Sequence, residues 1–325
     1  MFGYHARVSL AAILDRRLSI ISGKGGVGKT TLAAVLGLVL SQEGRRTLVA
    51  EVEGKDTLAS MFGAPPLTTQ PAELADSLWG MKITPEEALE EYFDVQLHMK
   101  RIAKPLISSQ LVDYVTHSAP GLRDILMLGK VWYAAVKRRD FDHIVLDTAA
   151  AGHAVSMLRS PEGFLHAVPI GPLATHTKQV LGWLQDPSEV GIHLASMPEE
   201  MPVNETIETT RMLEEKLGMN VSHVFMNMIF PPISDDPKVE AEVDAISSPL
   251  ALASQGFGKK ASEETFRILN FYRKRRSLQQ EHRKQLSDEL ASTADIIDLP
   301  FIMSDVFGLD ELRQLAEIAR EQLTR

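Results

Sequence analysis

The run Gly23-Lys24-Gly25-Gly26-Val27-Gly28-Lys29-Thr30-Thr31 is where residue types and spacing speak most directly of chemistry. It fits G-x-x-x-x-G-K-[ST]. Glycines at this spacing let consecutive amides turn inward, and a helix that starts just after them adds its positive end, which together suit phosphate oxygens. Lys29 then reaches the outer phosphates of a triphosphate, and the Thr30 hydroxyl is placed for magnesium. Gly25, Gly26, Val27, Gly28, Lys29, Thr30 and Thr31 are therefore the candidate nucleotide contacts. Lys24 is a second cation at a position the pattern leaves free; taken alone it is a solvated loop lysine. Asp147 closes the apolar run Phe141-Asp-His-Ile-Val-Leu-Asp147, where an aspartate can hold a magnesium-bound water. The chemistry to expect is the binding and transfer of phosphate from a nucleoside triphosphate, with Mg2+.

Such groups need a rigid frame. Leu18–Ser22 reads as a buried strand, Thr30–Gly44 as a helix apolar nearly all round, and Thr47–Val52 as a second strand. Strand, helix and strand within about 35 residues make a right-handed crossover, so the sheet is largely parallel. Further strands are expected at 141–147, 191–197, 221–227 and 296–299, and helices at 204–217 and 309–323. Residues 84–139 carry helical periodicity and open with Thr84-Pro85-Glu86-Glu87, a cap, a proline and acidic residues at the positive helix end. The predicted class is α/β: a doubly wound, mostly parallel sheet with helices on both faces and a helical insertion. Residues 1–325 are expected to form a single domain, with a helical layer over roughly 80–140 and 155–190.

With both lysines in place, the loop resembles the deviant phosphate loop of the ATPase class that holds MinD, ParA, the nitrogenase iron protein, and the ArsA and tail-anchored-protein-targeting ATPases. Asp147-Thr148-Ala149-Ala150-Ala151-Gly152-His153 resembles the switch II signature of the ArsA and targeting branch. The resemblance implies a P-loop NTPase fold and a homodimer in which Lys24 reaches the partner's nucleotide. It implies that the Gly152 amide meets the γ-phosphate and that His153 senses nucleotide state. Val224-Phe-Met-Asn227 resembles the strand end whose asparagine reads adenine, and Leu299-Pro300-Phe301 the late loop that packs on the base. Where the branch has Asp-Pro-Ala-His, this chain has Glu53-Gly54-Lys55-Asp56. Glu53 thus takes the water-orienting position by resemblance, one methylene longer, which predicts slow hydrolysis, with Asp56 as a substitute. The implied function is a nucleotide-switched homodimer that couples ATP state to an apolar-helix client or a membrane-protein partner. Alternatives are a ParA- or MinD-like positioning ATPase and a nucleotide-binding regulatory module with little turnover.

Composition removes several classes. The 325 residues include no cysteine, which excludes disulfides, thiolate zinc sites, cysteine nucleophiles and iron–sulfur clusters. A cysteine-bound metalloid and a zinc-clamped dimer go with them. The formal net charge of −9 argues against dedicated nucleic-acid binding through bulk positive charge. No stretch approaches the roughly 18–20 apolar residues of a membrane span, so a cytoplasmic protein is expected. Methionines gather between Met81 and Met228; Met99 and Met127 with Leu97, Leu106, Leu111, Leu126 and Trp132 form either ordinary core or an adaptable groove for a client helix. The tract 155–184 could wall the same groove. Arg273-Lys-Arg-Arg276, with Arg283 and Lys284, is interspersed with Glu281, Asp288 and Glu289 and reads as a solvated helix face. The histidines show no zinc spacing.

Overall fold

Apolar runs with no polar face become the inner strands, because a strand covered by helices on both sides has no solvent side. The computed structural model describes residues 9–52, 56–96, 121–148 and 151–324. In chain order these open with α1 (Leu10–Leu14), β1 (Leu18–Gly23), α2 (Lys29–Gln42), β2 (Thr47–Val52), α3 (Thr57–Met61), β3 (Ala72–Ala75), β4 (Leu78–Ile83) and α4 (Pro85–Gln96). Next come α5 (Leu122–Trp132), continued as a π-helical turn over Tyr133–Arg138, then β5 (His143–Asp147), α6 (Ala151–Ala167), α7 (Pro172–Leu184) and β6 (Val190–Ser196). The last third holds α8 (Glu200–Leu217), β7 (Val221–Ile229), α9 (Pro237–Ala245), α10 (Pro249–Ala253), α11 (Lys259–Leu290), β8 (Asp295–Pro300) and α12 (Leu309–Thr324).

The strands make one sheet in the order β3-β4-β2-β5-β1-β6-β7-β8. Every neighbouring pair is parallel except β3 with β4. The expected doubly wound α/β class is present. On one face α2 lies between the sheet and α12: residues 32–41 of α2 are all buried, and Leu312, Leu315, Ala316, Ala319 and Leu323 join them in one core. That double cover is why the helix carries no polar stripe. On the other face Leu126 and Val131 of α5, Val155 and Leu158 of α6, Val180 of α7 and Ile207 of α8 pack over Leu18, Ile20 and Leu146.

The helical stretch expected from about residue 80 starts at Pro85 instead. Residues 78–83 are a strand, hydrogen-bonded to β2 from Thr47↔Leu78 to Val52↔Ile83. β3 folds back on it as the antiparallel edge. The six residues of β4 are too few to separate strand from helix by periodicity, and pairing with β2 decides the outcome. The tract at 155–184 is two helices, α6 and α7, divided at 168–171. In the basic run, Arg273 pairs with Asp244, Arg275 with Glu199 and Arg276 with Glu240, so much of its charge is spent within the chain. Among the described residues no helix is long and apolar enough to cross a membrane.

Three scattered histidines meet in the core. His143 Nε2 and His193 Nε2 lie 3.0 and 3.1 Å from Ser19 Oγ, and the Nδ1 atoms of His193 and His223 are 3.3 Å apart. Burial pushes His143 down to about 3 and His193 well below the usual histidine range, so both are neutral. Among the described residues no cluster of three or more His, Asp or Glu is arranged to hold a metal ion.

Candidate functional site

The loop between β1 and α2 lies at the carboxyl end of a central strand, flanked by β5 and β6. Open α/β sheets bind ligands at this end. Gly28 caps α2 with φ +90°, a left-handed conformation that a side chain resists. A Cβ there would also stand 2.3 Å from Asn227 Nδ2. Gly25 and Gly26 are exposed, and no atom lies within 4 Å of where their Cβ would be. The two glycines therefore border open space. Val27 is the loop's anchor, 1% exposed and packed in the α2 core.

The cations are held from within the chain. Lys29 Nζ donates to the Lys24 carbonyl at 3.0 Å. Burial lowers the Lys29 pKa, with Asp147 and Glu205 acting in the opposite sense. Lys24 Nζ pairs with Glu205 Oε2 at 3.4 Å, on α8. Sequence reasoning gave no sign of Glu205, which only the placement of α8 beside the loop brings into reach.

Asp147 ends β5, one strand over. Its Oδ2 accepts from the Thr30 hydroxyl at 2.6 Å, while Oδ1 is buried without a partner. Burial pushes this carboxyl up to about 6, against the pull of Thr30 and Lys29. Thr148 is pinned to β1 by its hydroxyl on the Ile21 carbonyl at 2.8 Å. A hydroxyl and an orphaned carboxylate oxygen beside an exposed glycine loop are groups that a magnesium–phosphate group needs, so the residues fit one. Gly152 is exposed in the first turn of α6 at the same end of the sheet. Thr31 sits in the first turn of α2, half-buried. Glu53 lies outside the described residues, as do Ala149 and Ala150.

Asn227 is turned toward the loop. Its Nδ2 donates to the Val27 carbonyl at 3.1 Å, and its Oδ1 accepts from Met228 N–H at 2.9 Å. The turn that follows is held by Gln279 of α11, which donates to the Met228 carbonyl and accepts from Phe230 N–H. Pro300 pairs with Ile229, Phe301 donates its amide to the Ile229 carbonyl at 2.7 Å, and its ring lies 5.4 Å from that of Phe230. Asn227, Pro300 and Phe301 thus share one corner, and Gln279 is the residue the sequence did not announce there.

Comparison with known proteins points to one family. Residues 16–168, from before β1 into α6, match the family model described as anion-transporting ATPase. ATPase BagA of Mycobacterium tuberculosis is 30% identical to this chain over 95% of it and 94% of its own length. The chain belongs to the anion-transporting ATPase family. A putative arsenical pump-driving ATPase of Halobacterium salinarum is 24% identical over 94% of this chain and 44% of its own. The ATPase ASNA1 homolog of Plasmodium falciparum is 21% identical over 92% and 85%.

In this ATPase the described residues of the suggested client groove are core. Met127 is 2% exposed, inside the core. Leu126 and Trp132 of α5 are buried in the same core and, with Leu173, Thr177 and Val180 of α7 and Tyr92 of α4, line a cavity of about 40 Å³. Leu97, Met99, Leu106 and Leu111 lie outside the described residues. A space of that size takes a water or two. A client helix, roughly 10 Å across, enters only if the helices part.

Proposed function

We propose that this ATPase binds ATP with magnesium at residues 23–31 and works as a nucleotide-switched homodimer. The supporting observation is the juxtaposition at one strand end: exposed Gly25 and Gly26, Lys29, and Thr30 bonded to Asp147 at 2.6 Å. In this reading the amides of residues 25–30 and the Lys29 ammonium hold the phosphates, with Thr31 supporting the first turn. Thr30 and, through water, Asp147 hold magnesium, which when bound neutralises phosphate charge. Glu53 orients the attacking water, and the Gly152 amide meets the γ-phosphate. Lys24 reaches the nucleotide of a second copy, where developing charge is stabilised by a cation already in place. Asn227, Pro300 and Phe301 border the base.

In this reading residues 1–325 act as one cytoplasmic domain, and ATP binding parts α5 and α7 to admit an apolar helix of a client or membrane-protein partner. Relatives are named for an arsenical pump, yet this chain has no cysteine, so a cysteine-held metalloid is no part of the reading.

Phosphate release by wild type against Lys29→Ala tests the enzyme: a loss of about 100-fold is expected, from the scale of removing one preorganised charge contact. Equal rates refute the loop assignment. Sedimentation with ATP tests the dimer; ATP-dependent association should vanish in Lys24→Ala, and association indifferent to ATP discards the trans contact. A photocrosslinker at Leu173 should capture an apolar helical peptide only with ATP, and capture insensitive to nucleotide rejects the client.

A further inference from the structure

Glu51 is a buried charge to which the reading above gives no work. It is the penultimate residue of β2 and 2% exposed. Strand register sets it directly between Lys82 of β4 and Asp147 of β5. Partners in register on parallel strands point to one side of the sheet, here the side of α2 and Thr30. Two carboxylates therefore stand next to each other below the phosphate loop.

Neither is satisfied by the protein. Glu51 Oε1 takes a long bond, 3.4 Å, from Leu58 N–H in the first turn of α3. Its Oε2 is buried with no partner among the described residues, and so is Asp147 Oδ1. The nearby donors are engaged: Thr30 on Asp147, Lys29 on the Lys24 carbonyl, Lys82 on Asp56. Buried acceptors on neighbouring strands that no donor satisfies are costly, and adjacent carboxylates repel. A hydrated divalent cation removes both costs at once, since its waters donate outward and its charge suits two carboxylates.

We propose that Glu51 is a positioning residue of the magnesium site, its Oε2 accepting from a water of the cation's shell beside Asp147 while Oε1 tethers α3. Cation binding is thereby linked to α3 through the Leu58 amide. The inference rests on the nucleotide reading above and adds a residue that the loop pattern does not name.

The test is the magnesium dependence of ADP binding to the full-length protein, followed with a fluorescent ADP analogue, with binding in EDTA as the baseline. Glu51→Gln keeps an acceptor for Leu58 and loses the charge. Its EDTA baseline should be little changed, while the Mg2+ concentration for half-maximal effect rises roughly tenfold, the scale on which residues behind metal ligands act. Glu51→Ala should rise at least as far. A wild-type magnesium requirement in both variants overturns the proposal. So does a normal requirement in Glu51→Gln with a defect in Glu51→Ala, which marks a tether of α3 and nothing more. If Glu51→Gln does not fold, Glu51→Asp takes its place: a raised requirement supports the role and an unchanged one overturns it. Wild type that binds no ADP analogue, with or without magnesium, defeats the nucleotide reading itself and is told apart by that baseline.

Discussion

Gly28 has two independent reasons to be glycine, its φ of +90° and the Asn227 amide 2.3 Å from any added Cβ. Gly28→Ala should weaken nucleotide binding and cost about 1–3 kcal/mol of stability from backbone strain alone. Equilibrium unfolding alongside a binding titration reads both. Glu205, 3.4 Å from Lys24 Nζ, also acts electrostatically on Lys29, and so sets a negative charge near the cation assigned to the phosphates. Glu205→Gln should therefore tighten ATP binding, and calorimetry that shows equal or weaker binding removes that argument. The loop was legible in the sequence because its demands are local: glycines, lysine and threonine act within nine consecutive positions. Asp147 was legible from its place at the end of an apolar strand. Glu51 and Glu205 were not. Glu51 follows an apolar run just as Asp147 does, and its meaning comes from which strand lies beside it. Glu205 depends on where a helix some 180 residues away comes to rest.

At the scale of elements, the clearest constraint is the approach of α2 to β2 and β4. A Cβ on Gly37 would stand 2.7 Å from Val49 Cγ2 and 3.0 Å from a Leu78 methyl. Gly37→Val should destabilise the fold by about 1–3 kcal/mol through overpacking, despite removing a glycine from a helix. A lower denaturant midpoint with an unchanged slope is the expected signature. The inner strands were readable because burial on both faces leaves largely apolar runs, as in Ile20–Ile21 and Ile144–Leu146. The β3–β4 edge was not, because β3 is four residues long and half-exposed, and β4 runs straight into the helix start at Thr84-Pro85. Short edge strands acquire their identity from a neighbour.

The whole molecule carries a pH dependence in its histidine row. His143 titrates near 3 when folded and His193 well below its ordinary value, whereas both titrate near 6.5 in an unfolded chain. Between those values the unfolded chain binds more protons, so stability is full above about pH 6.5 and falls as pH drops toward 3. The slope is roughly 1 kcal/mol per pH unit for each buried histidine. The raised carboxyls of Asp147, Glu51 and Asp298 contribute in the opposite sense and are common to wild type and variant. Urea midpoints at pH 7.5 and 5.5 should therefore diverge less in His143→Asn than in wild type, and equal divergence refutes the assignment. No spacing rule could have shown this row, since its members are brought together by strand order.

The packing of α12 on α2 has a consequence for biosynthesis. The helix that follows the phosphate loop gains its outer wall only when residues 309–324 emerge, about 280 residues after it begins. At the usual elongation rate of roughly 5–20 residues per second, the nascent chain carries an uncovered apolar helix for some tens of seconds. Chaperone capture during translation should peak in that interval and end once the last helix docks.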